Sequence, residues 1–194
     1  WRQWLLRRLS IKFPQGVGRI VHAEIDSTNA EAARIAASLS GPTWILALSQ
    51  TAARGRRGRP WAHQQGNFSA TLVMQPTETP DRVALRSFVT SLALYDAFVA
   101  VTGRTDGLAL KWPNDVLIAT RKVCGILVES TSIGDKIDRL VVGIGVNVNQ
   151  PIFEGKFLVP ATSIRKEFGK VTSRERLLAE ILNEFEKIFK KANK

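Results

Sequence analysis

Residues 50–61 read Gln50-Thr51-Ala52-Ala53-Arg54-Gly55-Arg56-Arg57-Gly58-Arg59-Pro60-Trp61. Four arginines fall within six positions, two glycines separate them, and no carboxylate stands nearby in sequence to neutralise them. A run this charged does not enter a core. Glycine permits positive φ and lets backbone approach a ligand closely. The guanidinium fork suits phosphate and carboxylate. The chemical reading is an anion-binding loop. The bland reading is a solvated Arg/Gly loop or a nonspecific polyanion patch, and a motif this short does not choose between them.

Upstream, Thr43 to Ser49 reads as a short apolar strand entering the loop, after a Gly41-Pro42 break. Before that, Arg19 to Ile25 alternates as a strand, and Asp26-Ser27-Thr28-Asn29 leads into Ala- and Glu-rich sequence ending near Leu39. Thr28 with Glu31 has capping-box spacing, which predicts a helix start there. Ser27, Thr28 and Asn29 thus sit at a strand-to-helix junction, as pocket-mouth groups or simply as caps.

Downstream, Asn67 to Met74 reads as a strand entered by Gly66. Thr79-Pro80 opens a long helix running to about Val101, apolar on most faces and so expected to be largely buried. Gly103 ends it. Leu108 to Lys111, Val116 to Ala119, Lys122 to Glu129 and Lys136 to Val148 read as four strands joined by short turns. Residues 150–165 form a loop containing Pro and Gly. Thr172 with Glu175 is a second capping box, and Leu177, Leu178, Ile181, Leu182, Phe185, Ile188 and Phe189 mark one face of a closing helix.

Antiparallel-looking strands grouped between separated helices predict an α+β fold rather than a doubly wound sheet. The expected organisation is one domain over residues 1–194, with 1–18 as a lead-in. The arginine loop lacks Walker A spacing. Gly143-x-Gly145 lies within a strand and no glycine-opened helix follows, so a dinucleotide fingerprint is excluded.

Composition sets bounds. Of 194 residues, 44% are hydrophobic and 23% charged, as in an ordinary soluble globular domain. The net charge of +11 favours phosphorylated or polyanionic partners, or steers acidic ones. Cys124 is the single cysteine, so no disulfide forms within the chain. His22 and His63 are too scattered for zinc. No apolar run reaches transmembrane length. The first 23 residues carry Arg2, Arg7, Arg8, Lys12 and Arg19 without an acid, but lack the continuous apolar region of a secretory signal. These features lead to the expectation of a cytoplasmic protein.

Three further stretches carry chemistry. Lys111-Trp112-Pro113-Asn114-Asp115 is a polar turn between apolar strands: a plain hairpin connection, or a lysine and a carboxylate that handle a nucleotide and its magnesium. In Arg121-Lys122-Val123-Cys124-Gly125-Ile126-Leu127-Val128-Glu129 the glycine inside a strand signals a bulge or a close approach to the backbone. Cys124 reads as a small buried residue. Gly143-Ile144-Gly145-Val146-Asn147-Val148-Asn149-Gln150 leaves room at its glycines and offers amides to a base or ribose.

Taken in order, Asp-Ser-Thr-Asn, the arginine loop, Lys-Trp-Pro-Asn-Asp, Arg-Lys-x-x-Gly-Ile-Leu-Val-Glu and Gly-Ile-Gly-Val-Asn-Val-Asn resemble the biotin protein ligase family over about residues 19–165. The resemblance implies a single catalytic domain with a mixed, largely antiparallel sheet backed by helices, related to class II aminoacyl-tRNA synthetases and lipoate ligases. It implies that biotin and MgATP give biotinyl-5′-AMP, whose acyl group passes to a lysine of a biotin carboxyl carrier protein of acetyl-CoA carboxylase or another biotin-dependent carboxylase. It assigns Lys122, Arg54 and Arg56 to catalysis and no resident metal. Ser27, Thr28, Asn29, Gln50, Arg54, Gly55, Arg56, Lys122 and Gly125 would bind biotin. Arg56, Trp61, Lys111, Asn114, Asp115 and Asn147 would bind ATP, with Pro160 to Ser163 near the adenine.

Three departures stand out against the family pattern. Ala53 replaces a usual glycine, the short N-terminus leaves no room for a helix-turn-helix domain, and the small SH3-like barrel most members add is expected to be missing after Lys191. A lipoate or octanoate ligase of the same fold is the nearest alternative, and the Gly/Arg pattern argues against it. A catalytically dead biotin-binding relative conflicts with intact Arg54, Arg56 and Lys122. A nucleic-acid-binding module would have one arginine cluster and no aromatic platform. No specific nucleic acid or membrane partner is expected, and a homodimer is left open.

Overall fold

Two strands, β2 (Thr43–Ala47) and β3 (Phe68–Met74), are buried along their whole length. They lie inside a seven-stranded sheet with β1 (Gly18–His22), β4 (Leu108–Lys111), β5 (Asp115–Ile118), β6 (Arg121–Ile133) and β7 (Lys136–Val146). The computed structural model describes residues 13–61, 66–77, 79–149, 160–169 and 171–192, with side chains of the last helix up to Lys187. The strand order is β1-β2-β3-β7-β6-β5-β4. β1 and β2 run parallel, and every other neighbouring pair is antiparallel. The parallel pair requires a crossover, which α1 (Thr28–Ile35) supplies.

Successive side chains on a strand point to opposite faces, and the core divides accordingly. Trp44, Leu46, Phe68, Ala70, Leu72, Val142, Ile144 and Val146 face one layer of helices. That layer is α3 (Arg86–Thr102) and α5 (Arg174–Ala192), and Trp44 meets Phe185 edge to face at 5.4 Å. Ile45, Val73 and Val141 face the other way and pack with Ala32 and Ala36 beneath α1. Because α1 is short, it covers only part of this second face. Thr71 and Gly143 lie under its N-terminus, and Gly145 and Gly125 floor the part beyond it.

Several elements differ locally from expectation. The helix N-cap is Ser27, not Thr28: Ser27 Oγ accepts from the Ala30 N–H at 3.4 Å. Thr28 is the first helical residue and its hydroxyl is engaged elsewhere. At α5 the cap is likewise Ser173, whose Oγ accepts from the Arg176 N–H at 3.2 Å, while the Thr172 N–H is held by Asn149 Oδ1. The single helix expected from Thr79 is two, α2 (Pro80–Ala84) and α3, separated at Leu85, whose N–H bonds to Arg82 O in a tightened turn. α3 buries Ala93, Leu94, Ala97 and Phe98 completely but leaves Phe88 and Leu92 exposed, as is Leu85 just before it, so it is less enclosed than its composition suggests. The stretch Pro80–Thr102 is long and apolar enough to cross a bilayer by length and composition. Its fully buried residues identify it as a core helix. β6 runs four residues past Glu129 and turns tightly into β7. The short α4 (Ile164–Phe168) follows the segment at Pro160. The lead-in residues 1–12, most of the 150–165 loop and the Ile188 and Phe189 side chains lie outside the described residues.

A candidate ligand-binding site on the open face of the sheet

The N-terminus of α1 forms one wall. Ser27, Thr28 and Asn29 are all buried. Gln50 reaches across from the segment after β2, and its Oε1 accepts from the Thr28 N–H at 2.7 Å and from Thr28 Oγ1 at 3.1 Å. With the amide oxygen so engaged, Gln50 Nε2 is the group left to donate. Thr71 Oγ1, on β3, lies 2.8 Å from Thr28 Oγ1 and 2.7 Å from Asn29 Oδ1. Asn29 Nδ2 donates to Glu129 Oε2 at 2.8 Å. Asn29 therefore has both ends of its amide fixed by protein.

The arginine stretch is a small hairpin. Arg54 and Pro60 form an isolated antiparallel bridge, Gly55 N–H bonds to Arg59 O at 2.7 Å, and Trp61 N–H bonds to Ala53 O at 2.9 Å. The tip, Arg56 to Gly58, is a 3-10 turn. Positive φ falls on Arg57 (58°) and Gly58 (70°), whereas Gly55 is extended. Only one of the two glycines thus uses the freedom predicted for both. The loop also has a carboxylate neighbour that local sequence does not reveal. Arg54 makes a two-pronged contact with Glu129, Nη1 to Oε1 at 2.8 Å and Nη2 to Oε2 at 3.1 Å.

The hairpin places Trp61 over the floor. Gly125 and Gly145 are cross-strand partners in β6 and β7. A Cβ on Gly145 would lie 2.8 Å from the indole, and one on Gly125 would lie 2.9 Å from it. Glycine at both positions is what lets an aromatic ring approach this part of the sheet so closely. Gly143 serves a different neighbour, since a Cβ there would fall 2.0 Å from Asn29 Oδ1.

Cationic and nucleotide-type groups gather at the other end. Lys122 Nζ lies 2.6 Å from Asp115 Oδ1 and 5.4 Å from the centroid of the Trp61 ring. Asp115 Oδ1 is buried without a well-aligned hydrogen bond, so its contact with the ammonium is mainly electrostatic. Arg56 Nη1 reaches Asn114 Oδ1 at 3.4 Å, and Asn114 is braced on β6 through its Nδ2 donating to Ile126 O at 2.7 Å. Lys111 is exposed at the end of β4, opposite Asp115 across the turn. Asn147 is paired with Asn67, whose Nδ2 lies 3.3 Å from Asn147 Oδ1 and whose Oδ1 accepts the Val148 N–H at 3.1 Å. The backbone of Lys122 is held on both sides by the 160s segment, its N–H on Pro160 O at 2.7 Å and its O accepting the Thr162 N–H at 2.9 Å. Glu167 clamps that segment to Arg121 at 2.7 Å and to Thr162. Burial would raise the Glu167 carboxyl, but Arg121 and Thr162 outweigh it and hold it below the ordinary carboxylate range. Burial pushes the Cys124 thiol far up, leaving it a poor nucleophile.

The structure therefore brings Ser27, Thr28, Asn29, Gln50, Arg54, Arg56, Trp61, Asn114, Asp115, Lys122 and Gly125 around one floor. Gly55 lies in the exposed hairpin, Lys111 at its rim, and Asn147 at the end of β7 beside Lys122's strand. Sequence reading missed Glu129, Thr71, Asn67 and the Gly143–Asn29 fit. The available signal for the first two was a polar side chain within an otherwise apolar strand. No cluster of three or more His, Cys, Asp or Glu suited to a metal occurs among the described residues.

Comparison with known proteins agrees with this geometry. Against the biotin--[acetyl-CoA-carboxylase] ligase of Paracoccus denitrificans the chain is 45% identical over 159 residues, 80% of this chain and 66% of that protein. It therefore spans just under two thirds of that relative's length. Its fold superposes on the biotin protein ligase from Aquifex aeolicus in complex with biotin and ATP with a TM-score of 0.77 at 32% identity, covering 90% of this chain and 71% of that one. The biotin protein ligase from Leishmania major in complex with biotinyl-5-AMP gives a TM-score of 0.71 at 27% identity over 88% and 73% of the two chains. Residues 21–147, from within β1 to the end of β7 and so enclosing the whole floor with both its walls, match the Biotin/lipoate A/B protein ligase family, and the chain belongs to that family.

Proposed function

We propose that this chain activates biotin with MgATP to biotinyl-5′-AMP and transfers the biotinyl group to a lysine of a biotin carboxyl carrier protein. The observation that carries the reading is the arrangement of the floor. A polar corner of Ser27, Thr28 and Gln50 stands at one end, with Arg54 beside it through Glu129 and Asn29, and Lys122 and Arg56 stand around the other, separated by Gly125 and Gly145 under Trp61. Gln50 Nε2 is available for a ureido carbonyl. The indole seated on the glycine floor offers an apolar surface beside which a thin ring and chain could lie.

In the first step a carboxylate oxygen of biotin attacks the α-phosphorus and the bond to pyrophosphate breaks. Negative charge grows on phosphoryl oxygens, and fixed cations aimed at that charge are the main catalytic device for such transfers. Lys122, held by Asp115, and Arg56 beside Asn114 fill that role, and Arg54 holds the hairpin that carries Arg56. Asn114 and Asp115 would face the nucleotide's magnesium, which needs only one or two protein carboxylates beside phosphate oxygens. In the second step a lysine amine attacks the acyl carbon of the mixed anhydride and AMP leaves. Neither step needs a nucleophilic side chain on the enzyme. The excess positive charge would steer ATP and an acidic carrier domain toward the site, in a cytoplasmic setting and without a specific nucleic acid.

The test is mass spectrometry after incubation with biotin, MgATP and a carrier domain. Biotinyl-AMP and a carrier heavier by one biotinyl group are expected. A carrier modified by octanoate or lipoate but not by biotin would replace this reading with the other acid of the same family.

A further inference from the structure

The geometry points to Glu129 as the positioning residue that docks the arginine hairpin, and with it Arg56, over the site, and it does so by tying Arg54 to α1. The inference rests on the proposed adenylation for its kinetic consequence. The tie itself is read from contacts alone. Glu129 stands on β6 on the same face as Gly125. One carboxylate oxygen, Oε2, accepts from Asn29 Nδ2 at 2.8 Å and from Arg54 Nη2 at 3.1 Å, and the other, Oε1, faces Arg54 Nη1 at 2.8 Å. Asn29 cannot drift, because Thr71 holds its oxygen and Gly143 supplies the space it fills. The carboxylate is thus anchored on a buried amide and presents both oxygens to a guanidinium that belongs to an otherwise exposed hairpin. Only this contact, among those found in the described residues, fixes the direction of the Arg54 side chain.

The two-pronged arrangement sets the plane of the guanidinium as well as its position. With two donors on Glu129, the remaining N–H groups of Arg54 are oriented rather than free to swing. An amide in place of the carboxylate has one acceptor oxygen, not two, and no charge. It cannot hold Asn29 and both prongs of Arg54. Arg54 and Glu129 side chains are 42% and 33% exposed, so solvent screens the pair and its effect on loop docking is modest.

Two measurements test the assignment. The first is limited tryptic cleavage of the ligand-free chain at the bonds after Arg54, Arg56 and Arg57. Glu129→Gln should speed cleavage about two- to fivefold, and about 1 M salt should bring the parent toward the variant. The second is the rate of pyrophosphate release from biotin and ATP. Glu129→Gln should lower kcat about tenfold through lost orientation, with the KM for biotin little changed, and Glu129→Asp should recover part of it. In an Arg54→Ala background, Glu129→Gln should cost nothing further. Equal losses with and without Arg54 would overturn the role, since a merely structural Glu129 behaves that way. Unchanged tryptic cleavage would also overturn it. If the parent releases no pyrophosphate, the adenylation reading fails, and the cleavage experiment still judges the tie.

Discussion

Gly143→Ala should be a severe substitution although it adds one methyl group. The new Cβ would lie 2.0 Å from Asn29 Oδ1, 2.8 Å from Asn29 Cγ and 2.9 Å from Asn29 Nδ2. Nothing flexible stands in the way that could yield cheaply. Asn29 is the second residue of α1, its Oδ1 is held by Thr71 and its Nδ2 by Glu129. Relief requires the amide to swing out, breaking both hydrogen bonds, or the helix to lift from the sheet. Two lost hydrogen bonds at about 1 kcal/mol each, with about 1–2 kcal/mol of overpacking strain, give about 3–4 kcal/mol. For a chain of this size that corresponds to a fall in Tm of about 5–15 °C. The measurement is thermal or urea unfolding by circular dichroism, run as a cycle with Asn29→Ala. Removing the Asn29 amide vacates the space, so the double variant should lose at least 1 kcal/mol less than the sum of the single losses. Additive losses, or a Gly143→Ala variant within about 0.5 kcal/mol of the parent, would refute the reasoning.

Gly145→Ala meets a different neighbour, the partly exposed Trp61 ring at 2.8 Å. The ring can be displaced, so stability should change by less than about 1 kcal/mol while biotin affinity, read by calorimetry, falls at least tenfold; retained affinity would show that the ring's seat on the glycines is unimportant. Lys122→Ala should reduce pyrophosphate release about a hundredfold, equivalent to ~3 kcal/mol of transition-state stabilisation, and a folded variant releasing pyrophosphate at the parental rate would remove Lys122 from the chemistry. Glu167 has its carboxyl depressed in the folded state, so it stabilises above its unfolded pKa and that stabilisation is lost as pH falls through the folded value. The Tm gap between the parent and Glu167→Gln should therefore be widest near pH 7 and close as pH drops through the carboxylate range; a gap that is constant with pH would count against the Arg121 and Thr162 clamp.

The sequence by itself determined the motif set, the α+β class and most strand positions. Alternation and apolar runs in β2, β3, β6 and β7 follow from burial on one or both faces, which is a local, periodic signal. The turn at Asn114-Asp115 and the stop at Gly103 follow from backbone preferences of single residues. The arginine stretch was legible as an exposed, charged loop from residue chemistry alone, without choosing between an anion-binding and a solvated reading. What sequence could not settle was any choice between equally suited neighbours. Ser27 and Thr28 can both cap a helix, as can Thr172 and Ser173. The decision falls to tertiary contacts, because Thr28's hydroxyl is held by Gln50 and Thr71 and Thr172's N–H by Asn149. Glu129 looked like the unremarked end of an apolar strand, yet it meets Arg54 from 75 positions away and Asn29 from 100. Gly143 and Gly145 are alike in sequence, and only the packed sheet gives one to an asparagine and the other to an indole. Such pairings are fixed by register and strand order across the sheet. They leave no periodic trace in the chain, so they exist only once it has folded.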